Sequence, residues 1–169
     1  MALYELLTLI IISLGTVIAL IQIGIAVRTF RADHERRRKQ ATIEYINALR
    51  ENYRSSNNAL INKFGNDPIG KKEAKEIIDD EEYWALLKDM LGQFEHLAVG
   101  VNTNVFDIEI LNKMSGQYLI NVFDRWKKYI ELRRDESTLK KVYIDFEFLV
   151  NKLNSMRQNS DGKGKIKYS

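Results

Sequence analysis

The chain contains no cysteine. Disulfides, iron–sulfur clusters, thiolate zinc sites and a cysteine nucleophile are therefore excluded. Its two histidines are His34 and His96, so a three-histidine metal site is excluded as well. One proline and nine glycines in 169 residues are few for a β-rich fold or a collagenous chain. Several motifs are missing too. There is no G-x-x-x-x-G-K-S/T loop, no G-x-G-x-x-G, no G-x-S-x-G elbow and no HE-x-x-H. Gly92, Gly100 and Gly116 thus make no phosphate cradle. What is present suffices for one small core: the chain is 45% hydrophobic and 29% charged, too apolar to be wholly disordered.

That average hides two unlike segments. Leu6 to Val27 carries no charge, and everything after it is charged and amphipathic. A helix of this length is about 33 Å long, against a bilayer core of about 30 Å. Its polar interruptions, Thr8, Ser13, Thr16 and Gln22, are mild, because Thr and Ser hydroxyls can bond back to the helix backbone. The expectation is one transmembrane helix over 6–27, after a short external tail, 1–5. A cleaved signal peptide would want a basic start and a shorter run, whereas this tail carries Glu5 and no Lys or Arg. A buried core helix would not be apolar on all sides.

Charge asymmetry sets the expected orientation. Arg28, Arg31, Arg36, Arg37, Arg38 and Lys39 follow the span, opposed by Asp33 and Glu35. Basic residues beside a span stay on the cytoplasmic side, so the N-terminus is expected outside. This basic juxtamembrane segment, 28–39, is also placed to contact anionic headgroups. Residues 40–169 hold equal numbers of acids and bases, so the sequence pI of about 9.0 belongs to the membrane-adjacent stripe and the tail. A neutral domain argues against nucleic-acid binding.

The cytoplasmic part, 40–155, reads as helical, with 156–169 as a flexible basic tail. Ile46, Leu49, Tyr53, Leu60 and Phe64 recur at helical spacing, and no proline or glycine interrupts 28–64, so the span continues into a long helix. Gly65 and Asn66 stop it, and Asp67-Pro68 turns the chain. A short helix is expected over 71–78. Asp79 or Asp80 then caps a stronger one that Gly100 ends. Residues 101–104 read as a polar loop. Asn104 with Asp107 reads as a capping pair for a helix from Val105 to about Arg133, and Gly116 marks a close crossing inside it. After Asp135-Glu136-Ser137, a last helix carries Leu139, Val142, Tyr143, Phe146, Leu149, Val150 and Leu153. A strand over 143–150 would lack a partner. The fold expected is all-α: a membrane helix and a small helical bundle. Trp84, Phe94, Phe106, Tyr118, Phe123, Trp126, Phe146 and Phe148 are assigned to the core.

The chemistry-bearing cluster is Glu95, His96, Asn102, Asn104 and Asp107. A carboxylate–histidine pair in a cleft is a general-base arrangement. The competing reading makes the asparagines helix caps and gives His96 a backbone carbonyl. In the span, Gly15-x-x-x-Ala19 is a small-xxx-small face and Gln22 offers an interhelical hydrogen bond, so self-association into a homo-oligomer is a further expectation.

The stretch EHLAVGVNTNVFD at 95–107, followed by LNKMSGQYLI at 111–120, resembles a bacterial family of short proteins classed as a domain of unknown function, the DUF4760 type. YIELRR at 129–134 and FEFLV at 146–150 also fit its pattern. The resemblance covers roughly residues 1–155. It implies one N-terminal transmembrane helix, a helical cytoplasmic domain and a bacterial inner membrane, and it brings no activity or cofactor. The expected function is a membrane-anchored interaction or sensor protein with a protein partner. A role in phage defence or superinfection exclusion is a narrower version that rests on analogy. The alternatives are a membrane-associated hydrolase using Glu95, His96 and Asp107, and an oligomerising membrane effector.

Overall fold

The computed structural model describes residues 2–135 and 140–164. Among these lie five helices: α1 (Ala2–Phe64), α2 (Lys71–Asp79), α3 (Glu81–Asn102), α4 (Ile108–Asp135) and α5 (Ile144–Gly164). No strand occurs among the described residues, so the fold is all-α, and 143–150 belongs mostly to α5. The chain divides into two compact units, Met1–Gln40 and Ala41–Ser169. Glu136, Ser137, Leu139, Lys165 and Lys167 lie outside the described residues.

The first unit is helical over its described residues, 2–40. The hydroxyls of Thr8, Ser13 and Thr16 bond the carbonyls of Tyr4, Leu9 and Ile12 at 2.9, 2.7 and 2.8 Å. Each polar side chain is thereby satisfied inside the helix, and the surface it leaves is apolar. An 18-residue window of α1 reaches a mean hydropathy of 2.5, and none of it is buried.

The second unit is a helical bundle around one core. The last part of α1 contributes Ile46, Leu49 and Leu60. Gly65 ends that helix at φ 76°, with its N–H on the Ile61 carbonyl at 2.9 Å. A left-handed residue costs glycine nothing, so the stop falls where the sequence places it. In α2, Ala74 and Ile77 face inward. Asp80 caps α3, its Oδ1 accepting from the N–H groups of Glu82 and Tyr83 at 3.1 and 3.2 Å. The inner face of α3 is Leu87, Met90, Leu91, Phe94, Leu97, Ala98 and Val101. That spacing continues past Gly100, and Gly100 therefore lies inside the helix instead of ending it.

The actual stop is a Schellman motif. The Val105 N–H bonds the Gly100 carbonyl at 2.8 Å and the Asn104 N–H bonds that of Val101 at 3.1 Å. Asn104 takes the left-handed position at φ 61°. It closes α3 and does not cap α4, which starts at Ile108 and not at Val105. The glycine at 100 serves another need: a Cβ there would overlap the Phe106 ring. Gly116 is a close approach as expected, with the Asn112 side chain and the Arg157 guanidinium of α5 against it.

Aromatic rings fill the centre. Phe94 lies 5.4 Å from Phe146 and 5.3 Å from Tyr53, and Phe123 meets Phe146 edge-on at 5.4 Å. Phe148 is the exception to the expected core set, being 60% exposed. Val142 and Tyr143 precede α5 instead of belonging to it, and Tyr143 holds φ 56°.

Replacing Gly100 with Ala should destabilise the second unit by about 1–3 kcal/mol, because the Phe106 ring must move. Both tryptophans, Trp84 and Trp126, lie in this unit, so their fluorescence during urea unfolding measures it. Burial raises the hydroxyl pKa of Tyr118 and of Tyr143 above the ordinary 10.0. The unfolded chain ionises these groups first, so their contribution is complete below pH 10 and is lost as pH rises beyond it. Stability should fall steeply above that point, and Tyr118→Phe should flatten the fall.

Candidate functional site

The three candidate catalytic side chains are separated by what each one bonds. Glu95, half-buried on α3, directs both carboxylate oxygens at the start of α5. Oε2 accepts from the Phe146 N–H at 2.7 Å and Oε1 from the Asp145 N–H at 3.2 Å. A helix N-terminus leaves such donors without intrahelical partners, and a carboxylate also complements the helix dipole. About two turns further along, the Asn102 amide donates to Asp145 Oδ1 at 2.8 Å. The α3–α5 contact is thus fixed by two polar side chains spaced so that both face the same helix end.

Asp107 is 3% exposed. Its Oδ1 accepts from Glu109 N–H and Ile110 N–H, both at 3.0 Å, so Asp107 is the N-cap of α4. Its own N–H donates to Thr42 Oγ1 at 2.7 Å. His96 is exposed on α3 and borders a shallow groove of about 480 Å³, with Lys88, Asp89, Gln93, Val142 and Tyr143. The Glu95 carboxylate and the Asp107 carboxylate are committed to two different helix ends. The three side chains do not form one hydrogen-bonded constellation among the described residues, and no group of three or more His, Asp or Glu able to hold a metal occurs there.

Several residues that position this region carry no sequence motif. Arg125 is buried on α4, lies over the Trp126 ring at 4.4 Å and donates to the Gly65 carbonyl. Desolvation lowers its pKa. The Ile69 N–H returns to the Arg125 carbonyl at 3.1 Å, so one residue fixes the α1–α2 connection twice. Arg134 does the same for the α4–α5 connection. It donates to the carbonyls of Val142 and Tyr143 and pairs with Glu147 at 2.6 Å. Their partners lie far along the chain or in backbone carbonyls, so residue spacing carries no sign of them.

In the first unit, Arg28, Arg31, Arg36 and Arg37 are exposed, and Lys39 pairs with Glu35 at 2.6 Å. A Cβ at Gly15 would meet nothing within 4 Å, so the Gly15–Ala19 face is open.

A family model, the domain of unknown function DUF4760, matches residues 9–153. The chain belongs to the DUF4760 family. The matched DUF4760 region begins inside the apolar helix and ends in α5, so it takes in both compact units. No curated protein and no solved structure matches the chain significantly.

Removing the two caps should cost stability, and removing the histidine should not. Glu95→Ala and Asp107→Ala should each lose about 1–2 kcal/mol, and His96→Ala less than about 0.5 kcal/mol. Chemical unfolding followed by tryptophan fluorescence measures all three. A Glu95→Ala protein as stable as the parent would remove the capping role.

Proposed function

We propose that this DUF4760 protein is a single-pass, membrane-anchored interaction module with no catalytic centre of its own. On this reading α1 crosses a bacterial cytoplasmic membrane with the N-terminus outside. The bundle lies in the cytoplasm, where it binds a protein partner or senses a state near the bilayer. The observation that carries the anchoring is the wholly exposed apolar stretch of α1. A helix apolar on every side, with its hydroxyls bonded to its own backbone, finds its low-energy surroundings in hydrocarbon. The family match supports an uncleaved anchor, because a signal sequence is discarded and the DUF4760 region starts within this helix. The exposed arginines after Val27 support the orientation.

The interaction reading is favoured over the hydrolase because both Glu95 oxygens and Asp107 Oδ1 accept from helix N-termini. A general base needs an acceptor directed at a substrate proton. Pairing of two spans through Gly15 and Ala19, with Gln22 bonding across, is a further part of the proposal. It rests on the small residues and the open Gly15 face.

Alkaline carbonate extraction tests the anchor. The protein should stay in the membrane pellet at its full mass. Release into the supernatant, or a mature form beginning after Val27, would sink the reading. Reporter fusions at the C-terminus test the orientation: green fluorescent protein should fluoresce and alkaline phosphatase should be inactive. The opposite pattern would invert it.

A further inference from the structure

Beside the aromatic centre, α1 and α4 leave an open groove of about 360 Å³, lined by Arg50, Glu51, Tyr53, Arg54, Asn57 and Tyr118. That volume suits a small molecule. Residues 50, 53, 54 and 57 recur at three- and four-residue steps, so α1 presents them on one face. All six lie in the second unit. Tyr53 and Tyr118 are both half-buried and supply an aromatic wall, their ring centroids 5.6 Å apart and their planes 18° apart. Tyr53 is backed by Phe94 at 5.3 Å. Behind these rings, a crevice of about 10 Å³ reaches Leu49, Leu97 and Leu119. That is room for about one water molecule. A ligand in the groove therefore lies against the rings and does not enter the core.

The charges at this groove are unspent. Arg54 and Glu51 are exposed and three residues apart on one helix, yet among the described residues neither forms an ion pair or a hydrogen bond. The Asn57 amide bonds nothing either. Arg50 is fixed in place, its Nη2 donating to the Met114 carbonyl at 2.9 Å and to the Ser115 hydroxyl at 3.1 Å, with no carboxylate against it. The charges of Arg50 and of the buried Arg125 both act on the Tyr118 hydroxyl. Three guanidiniums thus stand against two acids, Glu51 in the lining and Asp67, which acts on Arg125. The surplus is positive, and Arg54 is the cation that the fold leaves without a task. One guanidinium fork matches the two oxygens of a carboxylate in a plane. A flat ring attached to that carboxylate would stack on Tyr53 with an offset. A phosphate fits less well, because it asks for donors from several sides, and Arg50 and Arg125 have given theirs to carbonyls.

We propose that the α1–α4 groove binds a small free aromatic carboxylate. Arg54 pairs with the carboxylate, Asn57 donates beside it, Tyr53 takes the ring, and Arg50 supplies a fixed positive charge. The proposal goes beyond the interaction reading and does not rest on α1 crossing a membrane, because every lining residue belongs to the second unit.

The test is a titration of the full chain in dodecylmaltoside micelles with naphthalene-2-carboxylate, followed by saturation-transfer NMR of the ligand, with protein-free micelles as the blank. Binding should saturate. Naphthalene-2-carboxamide keeps the ring without the charge, and acetate keeps the charge without the ring, so each should bind at least about tenfold more weakly. Arg54→Gln should lose about tenfold in affinity. Glu51→Gln should gain about threefold, because a carboxylate that repels the ligand is gone. Both side chains lie outside the core, and urea unfolding like the parent's verifies that the variants fold. Equal binding of the carboxamide, an Arg54→Gln protein that binds like the parent, or a signal no larger than the blank would overturn the proposal. A peptide ending in a free Phe carboxylate that outcompetes the naphthoate would overturn it in favour of a partner's chain end. None of these outcomes alters the reading of α1 as an anchor.

Discussion

The Glu95 carboxylate is the constraint on which the second unit turns. Two N–H groups open α5, and neither has an intrahelical acceptor. Both point at one side chain on α3. Everything α5 brings to the core, Phe146, Leu149, Val150 and Leu153, is positioned by that first turn. The preceding residue, Tyr143, is held at φ 56°, a conformation that costs a non-glycine residue about 1 kcal/mol or more. Arg134 bonds its carbonyl and that of Val142, which keeps the strained turn in place. Polar bonds thus hold α5 beside an aromatic centre, and α3 serves both with neighbouring residues, Phe94 against the Phe146 ring and Glu95 against the Phe146 N–H.

The arginines follow one pattern. Arg50 donates to the Met114 carbonyl at 2.9 Å, Arg157 to that of Asn112 at 2.8 Å, Arg125 to that of Gly65 and Arg134 to that of Tyr143. A guanidinium has several donors in a fixed plane and suits carbonyls at helix ends and crossings, where one acceptor lone pair is spare. Charges used in this way stitch elements together and do not build a basic face. The domain is neutral because its acids and bases are equal in number, and arginines spent on carbonyls are not free to form a phosphate-binding patch.

Local signals were legible and distant ones were not. The stop at Gly65, the cap at Asp80, the back-bonded hydroxyls of α1 and the α3 core face all depend on residues within about a turn of one another, so spacing reveals them. Gly100 and Asn104 were misread because each is a favourable helix-end residue, and choosing between them needs the Phe106 ring and the Schellman bonds. Asp107 reads from the sequence as the third helical residue of a capping pair with Asn104, whereas it is itself the N-cap, three positions earlier in that role. Phe148 was assigned to the core on its residue type. Its neighbours Phe146 and Leu149 take the inward face, and Ile144, Phe148 and Lys152 fall on the other. Arg125 and Glu95 could not be placed at all, because their partners are backbone groups that come near only after folding.

The most recognisable block of the chain, 95–107, therefore has a structural account that does not need catalysis. Glu95 and Asn102 set α5, Gly100 admits Phe106, Asn104 closes α3 and Asp107 opens α4. A stretch this dense in caps tolerates few substitutions for folding reasons alone, so its distinctiveness is not a sign of chemistry. Function is better sought in what these constraints leave unexplained. No capping or packing need requires Phe148 to be aromatic at 60% exposure. The DUF4760 match runs through the apolar helix and the bundle together, which makes them one family unit rather than a bundle with an unrelated leader.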